Sequence, residues 1–94
     1  MKRAKITVPW KQGLHLRPAA RIVRCAQSFS SKISLKANER IADARSVLGI
    51  LLLSATLGVA VDLEVSGPDE DAAIATMTSI FQSGGDGDTG SPAL

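Results

Sequence analysis

The segment 59–66 alternates without a break: Val59, Val61, Leu63 and Val65 fall on one side, Ala60, Asp62, Glu64 and Ser66 on the other. A period of two with one apolar and one charged side describes a strand that is covered on one face and wet on the other. Such a strand cannot stand alone. It needs neighbours whose faces are divided the same way, and an apolar layer over the covered side. Two further stretches supply neighbours. Ala4, Ile6 and Val8 share one side of 4–9, with Lys5 and Thr7 opposite, and Ile33, Leu35 and Ala37 share one side of 32–37. Asn38-Glu39 reads as a turn, and 40–43 as a short partner strand that closes a hairpin.

The covering layer is helical. Leu16, Ala19, Ala20, Ile22, Val23, Ala26 and Phe29 recur at helical spacing and predict a helix over 16–28. Pro18 falls in its first turn, where a missing N–H leaves nothing unsatisfied. Ser46 is a natural N-cap for a second helix running to about residue 54, with Ile50, Leu53 and Leu57 assigned to the sheet side. Gly67-Pro68 turns the chain, Asp69, Glu70 and Asp71 suit a helix N-terminus, and Ala73, Ile74, Met77, Ile80 and Phe81 form the stripe of a third helix that Gly84-Gly85 ends. The order is strand, helix, strand, strand, helix, strand, helix. That is an α+β chain: a four-stranded sheet, antiparallel or mixed, with helices on one face. One domain over 1–83 accounts for these elements, and the Gly-, Asp-, Ser- and Pro-rich stretch 84–94 is expected to be disordered.

The same residues exclude several functions. The apolar run 47–53 is far too short to span a bilayer, and the residues after Lys2, Arg3 and Lys5 alternate instead of forming a signal-peptide block, so a cytoplasmic location is expected. Cys25 is the single cysteine, which rules out an internal disulfide, and it lacks a companion at metal-ligand spacing. No cofactor or metal site is indicated. Trp10, Phe29 and Phe81 are the only aromatic residues, too few to stack nucleic-acid bases. An enzyme with its own small-molecule turnover lacks its parts: there is no paired acid and base, no triad and no metal cluster.

The chemistry concentrates in Gly13-Leu14-His15-Leu16-Arg17-Pro18-Ala19-Ala20. His15 is the only histidine, and it falls where a loop becomes a helix. Free backbone N–H groups and the positive end of the helix dipole favour an anion there, and Arg17 adds a guanidinium whose fork suits phosphate oxygens. A histidine at this point reads either as a cap or as a nucleophile beside a phosphate site. The run resembles the active-site signature of the histidine-containing phosphocarrier proteins (HPr) of the bacterial phosphoenolpyruvate-dependent phosphotransferase system. That pattern is Gly, an aliphatic residue, the phosphorylated His, a small residue, then Arg-Pro-Ala; this chain departs from it only at Leu16. The resemblance spans 4–83 and implies an open-faced β-sandwich, an antiparallel sheet covered on one side by three helices. It implies a stoichiometric phosphoryl carrier with His15 and Arg17 as the catalytic pair and the Leu16 and Arg17 positions holding phosphate. It further implies enzyme I as donor, IIA proteins as acceptors, Nδ1 as the attacking atom, and a monomer. A regulatory module that docks without carrying phosphate is the rival reading, and the presence of His15 together with Arg17 argues against it.

Net charge is only +2, but its distribution is uneven. Lys2, Arg3, Lys5, Lys11, Arg17, Arg21 and Arg24 crowd the first quarter; Asp62, Glu64, Asp69, Glu70, Asp71, Asp86 and Asp88 gather in the last third. Arg17, Arg21 and Arg24 share one helix face, either a solvated surface or a contact for acidic protein. The helix opening at Ser46 is apolar nearly all round, more than one stripe on a sheet requires, which suggests either deep burial or a docking patch. By the family likeness Val47, Leu48 and Leu51 are assigned to partner contact, with Arg17, Arg21 and Arg24 supplying charge. Ser46 also matches the position that a regulatory ATP-dependent kinase phosphorylates in some lineages, which makes a Ser kinase/phosphorylase a further implied partner.

Overall fold

The computed structural model describes residues 1–82 of the chain. Its centre is the pair of alternating segments: β2 (Lys32–Ala37) and β4 (Ala60–Ser66) lie side by side, with Ile33 opposite Val65 and Leu35 opposite Leu63. All four of these side chains are fully buried. β1 (Lys2–Thr7) pairs with the outer side of β4, setting Ile6 against Val61, and β3 (Arg40–Asp43) closes the other edge. The sheet order is β1-β4-β2-β3, antiparallel throughout, which settles the choice left open by the sequence.

Three helices cover the apolar face: α1 (Leu16–Ala26), α2 (Val47–Leu51) and α3 (Glu70–Gln82). α1 buries Pro18, Ala19, Ile22 and Ala26, and α3 buries Ala73, Met77, Ile80 and Phe81. The element order βαββαβα is as predicted. The assignment of disorder to 84–94 lies outside the described residues.

Four expectations are corrected. α1 ends at Ala26, not near residue 28, because its last turn tightens: Phe29 N–H bonds to Ala26 O at 3.2 Å and Ser28 Oγ donates to Cys25 O at 2.7 Å. Leu16, placed in the buried stripe of α1, is 62% exposed, since the stripe begins only at Pro18. α2 is five residues long and does not continue to residue 54; the chain beyond it winds on through bonds from Leu53 N–H to Ile50 O and Ser54 N–H to Leu51 O, and stops at Ser54, whose φ is 54°. Ile50 and Leu53 face inward as expected, but Ala55 takes the next inward place and leaves Leu57 55% exposed. Val8 lies beyond the end of β1 yet stays in the core, exchanging bonds with Val59 O at 3.0 Å and Gly58 N–H at 2.9 Å.

One half-buried polar junction ties α3 to the loop ahead of β2. Asp69 accepts hydrogen bonds from Ser30 N–H at 2.8 Å, Ser31 N–H at 2.9 Å and the Ser31 hydroxyl, and Ser31 is fully buried. The Ser31 hydroxyl and these N–H groups hold the Asp69 carboxyl below its ordinary range. Glu70 is lowered too, by the Gly67 N–H at 3.1 Å and the Met1 ammonium at 3.2 Å. A carboxylate with a depressed folded pKa contributes stability above its unfolded value and loses it as pH falls through the folded one. Wild-type melting temperature is therefore expected to drop as pH is lowered through the ordinary carboxylate range and below. Asp69→Asn should start lower at neutral pH and show a flatter acid limb in melts recorded by circular dichroism.

Candidate functional site

The loop from β1 to α1 is held at three points before it reaches His15. Trp10 is buried, with its ring 5.0 Å from that of Phe81. Gly13 turns back on it, its N–H bonding to Trp10 O at 2.8 Å, and Leu14 N–H then bonds to Ala55 O at 2.8 Å. Gly13 has φ +77°, and a Cβ there would lie 2.8 Å from Ala55 O and 3.0 Å from the Cα of Thr56. Only glycine lets these two backbones meet so closely. The predicted glycine of the motif therefore sets where His15, two residues on, stands.

That residue is the N-cap of α1. His15 is extended (φ −93°, ψ −166°), and its ring does not cap the helix, which removes the capping reading. The ring is half-buried, with Nε2 on the shielded side. The first helical bond runs from Ala19 N–H to His15 O at 3.0 Å, and Pro18 has no N–H. The Leu16 and Arg17 N–H groups thus precede the first intrahelical bond, at the positive end of the dipole. Backbone donors and an imidazole meet at one helix end, and Arg17, exposed in the first turn, adds a positive charge to that end, an arrangement that suits an anion next to a nucleophile.

The predicted basic stripe divides by exposure: Arg17 and Arg24 are exposed, and Arg21 is half-buried. Among the described residues Arg17 and Arg24 form no ion pair, whereas Lys2, Arg3 and Lys5 pair with Asp71, Glu64 and Asp62 at 3.2, 3.4 and 3.8 Å. The cations of β1 are thus partly neutralised by acids of β4 and α3, whereas Arg17 and Arg24 have no such partner among the described residues.

α1 packs against α2, and the bond from Leu14 to Ala55 brings the start of α1 to the chain leaving α2. Ser46 caps α2, its Oγ accepting Gly49 N–H at 3.0 Å. Of the three residues assigned to partner contact, Leu48 is 66% exposed, while Val47 and Leu51 are half-buried against the core. Leu52, left out of that set, is 52% exposed. Its i, i+4 relation to Leu48 was the available signal. Leu16 adds a third exposed leucine directly after His15. A depression of about 390 Å³ lies elsewhere, on the open face of the sheet among Arg3, Lys5, Lys36, Asp62 and Glu64. No helix of the described residues is long and apolar enough to cross a membrane.

Comparison with known proteins agrees with this geometry. The family model for the PTS HPr component phosphorylation site matches residues 2–83. A phosphocarrier protein HPr from Cupriavidus necator is 36% identical over 81 residues, 86% of this chain and 91% of that protein. A phosphocarrier protein NPr from Escherichia coli K12 is 35% identical over 79 residues, 83% of this chain and 88% of its own length. Among solved structures, HPr from Thermoanaerobacter tengcongensis superposes with a TM-score of 0.84 at 37% identity, covering 88% of this chain and 93% of that one. A dimer of HPr from the same organism is also similar, with a TM-score of 0.70 at the same 37% identity, covering 88% of this chain and 95% of that one.

The Gly13 contact yields a test. Gly13→Ala is expected to cost about 1–3 kcal/mol from the left-handed backbone alone, and more from the clash with Ala55 and Thr56. Gly58 (φ +89°) has open space where its Cβ would be, so Gly58→Ala carries the backbone cost without the clash. Urea denaturation should show Gly13→Ala as the more damaging of the two.

Proposed function

The chain belongs to the HPr family of phosphotransferase-system phosphocarriers, and on that premise we propose that it accepts a phosphoryl group on His15 from enzyme I and passes it to IIA proteins, in sugar uptake or in nitrogen-branch regulation. It is a stoichiometric carrier in the cytoplasm, not an enzyme with turnover of its own, and the monomer is the unit that docks. The observation that carries this reading is the placement of His15 at the N-cap of α1, one residue ahead of two N–H groups that precede the first helical bond.

The chemistry follows from that placement. The lone pair of the neutral imidazole attacks phosphorus as the bond to the donor breaks, the donor group leaving with that bond's electron pair while the ring proton stays on the other nitrogen. Shielding of Nε2 supports Nδ1 as the attacking atom, since the half-buried ring presents its remaining side to visitors. The Leu16 and Arg17 N–H groups and the Arg17 guanidinium hold the phosphate oxygens before and after transfer. Leu48, flanked by Val47 and Leu51 and joined by Leu52 and Leu16, supplies apolar contact, and Arg17, Arg21 and Arg24 steer acidic partner surfaces. The same reading extends to Ser46. A phosphate there would put negative charge at the cap of α2, among residues that meet acidic partners, and would weaken docking.

Enzyme I with labelled phosphoenolpyruvate is expected to label the wild type and leave His15→Ala unlabelled; equal labelling of both would overturn the reading. Leu16→Ala in the same assay is expected to remain labelled while its transfer rates to enzyme I and IIA partners shift unequally, because Leu16 stands where both partners meet the site.

A further inference from the structure

α2 has five residues, well below the length at which a helix holds itself in water, so its position is imposed from outside. Ser46 secures its N-terminal end. Its C-terminal end is secured by the β2–β3 hairpin. Asn38 Nδ2 donates to Leu53 O at 2.8 Å and to Ser54 O at 3.1 Å, and Arg40 Nη1 donates to Leu52 O at 3.3 Å. The next carbonyl along is Ala55 O, which takes Leu14 N–H at 2.8 Å, one residue before His15. Carbonyls 52 to 55 are therefore gripped in succession, three by the hairpin and the fourth by the loop that presents His15.

We propose that Asn38, supported by Arg40, is a positioning residue for phosphoryl transfer: the β2–β3 turn fixes segment 52–55, and through it both the exposed leucines of α2 and the His15 loop. The functional half of this proposal rests on the phosphocarrier reading. Asparagine fits the place for two reasons. Its φ is 52°, a left-handed conformation that Asn tolerates better than most residues, and its side-chain amide carries two donors, one for each carbonyl. Glu39 follows with φ 63°, so the turn holds two successive left-handed residues and presents the Asn38 amide rigidly. Aspartate would keep the backbone tolerance but has only acceptors, so it would face two carbonyl oxygens with a third oxygen. Glycine would keep the turn and simply remove the grip.

Asn38→Asp and Asn38→Gly separate positioning from folding. With enzyme I and phosphoenolpyruvate, Asn38→Asp is expected to raise the KM for this protein roughly tenfold, and Asn38→Gly about threefold, the scale of losing one or two hydrogen bonds. The saturated rate should stay within about twofold of wild type, because His15 and Arg17 are untouched. Amide hydrogen exchange followed by NMR should show Leu14 N–H exchanging at least about fivefold faster in both variants, since its acceptor segment is released. An unchanged KM beside a lowered melting temperature would overturn the proposal in favour of a purely structural role. Unchanged Leu14 exchange would overturn the link to the His15 loop. A wild type that enzyme I never labels would overturn the phosphocarrier reading instead, and the Leu14 exchange rates would still decide whether the turn holds the loop.

Discussion

A sheet that is apolar on one face only dictates the arrangement of everything else in the molecule. The pairs Leu35–Leu63, Ile33–Val65 and Ile6–Val61 align apolar side chains on the same side of three strands, and that surface must be removed from water. Each large side chain fully buried against it contributes about 1.5–3 kcal/mol. Surface ion pairs such as Lys5–Asp62 are worth about 0–1 kcal/mol each, so packing decides the positions and the charges adjust to them. The helices lie where their stripes fill this face. The loops between strand and helix must cross its end, and Trp10 against Phe81 closes that end. The N-terminus of α1 is thereby delivered to a fixed point by side chains that take no part in chemistry.

Charge then acts on a frame already set. Among the described residues, the cations of β1 are matched with acids on β4 and α3, while Arg17 and Arg24 on α1 have no such partner. The asymmetry visible along the sequence is thus not a single basic patch. It splits into a compensated set beside the open face and an uncompensated set on the helix that begins at His15. On the proposed reading, long-range attraction for an acidic surface would come from the second set, beside the end of α1 where His15 stands.

The periodic parts of the chain were legible. β2 over 32–37, the hairpin turn at Asn38-Glu39 and the stripe of α3 follow from alternation, turn chemistry and helical spacing, and each stands where the sequence places it. The motif around His15 was legible as well, because a Gly, a lone His and an Arg-Pro pair at a loop-to-helix junction leave few readings. The failures have a common cause. Leu16, Leu57 and the length of α2 were all read from apolarity, and apolarity does not say whether a leucine is needed inside or kept outside. Leu16 and Leu57 occupy the margins of elements whose inward places Pro18 and Ala55 already fill. Nor could the grip of Asn38 on segment 52–55 be seen, since it joins residues whose proximity exists only once the sheet has formed.

The same outward leucines bear on why the site has so little depth. On the phosphocarrier reading proposed above, two different proteins must reach His15 in turn, so it could not sit in a closed, dry pocket, although such a pocket would stabilise transferring charge more strongly. The arrangement at His15 is a compromise between these demands. On that reading, backbone N–H groups at a helix end would orient phosphate without enclosing it, and Arg17 would add charge. Partner binding would then have to come from the surrounding surface, where Leu16, Leu48 and Leu52 with Arg17 and Arg24 would make a small anchor set. A set of that size suits fast, steered association and early release better than tight binding. The rigidity lost by leaving the site open is recovered behind it, where Gly13, Ala55 and the hairpin turn fix the backbone from the side that no partner needs to reach.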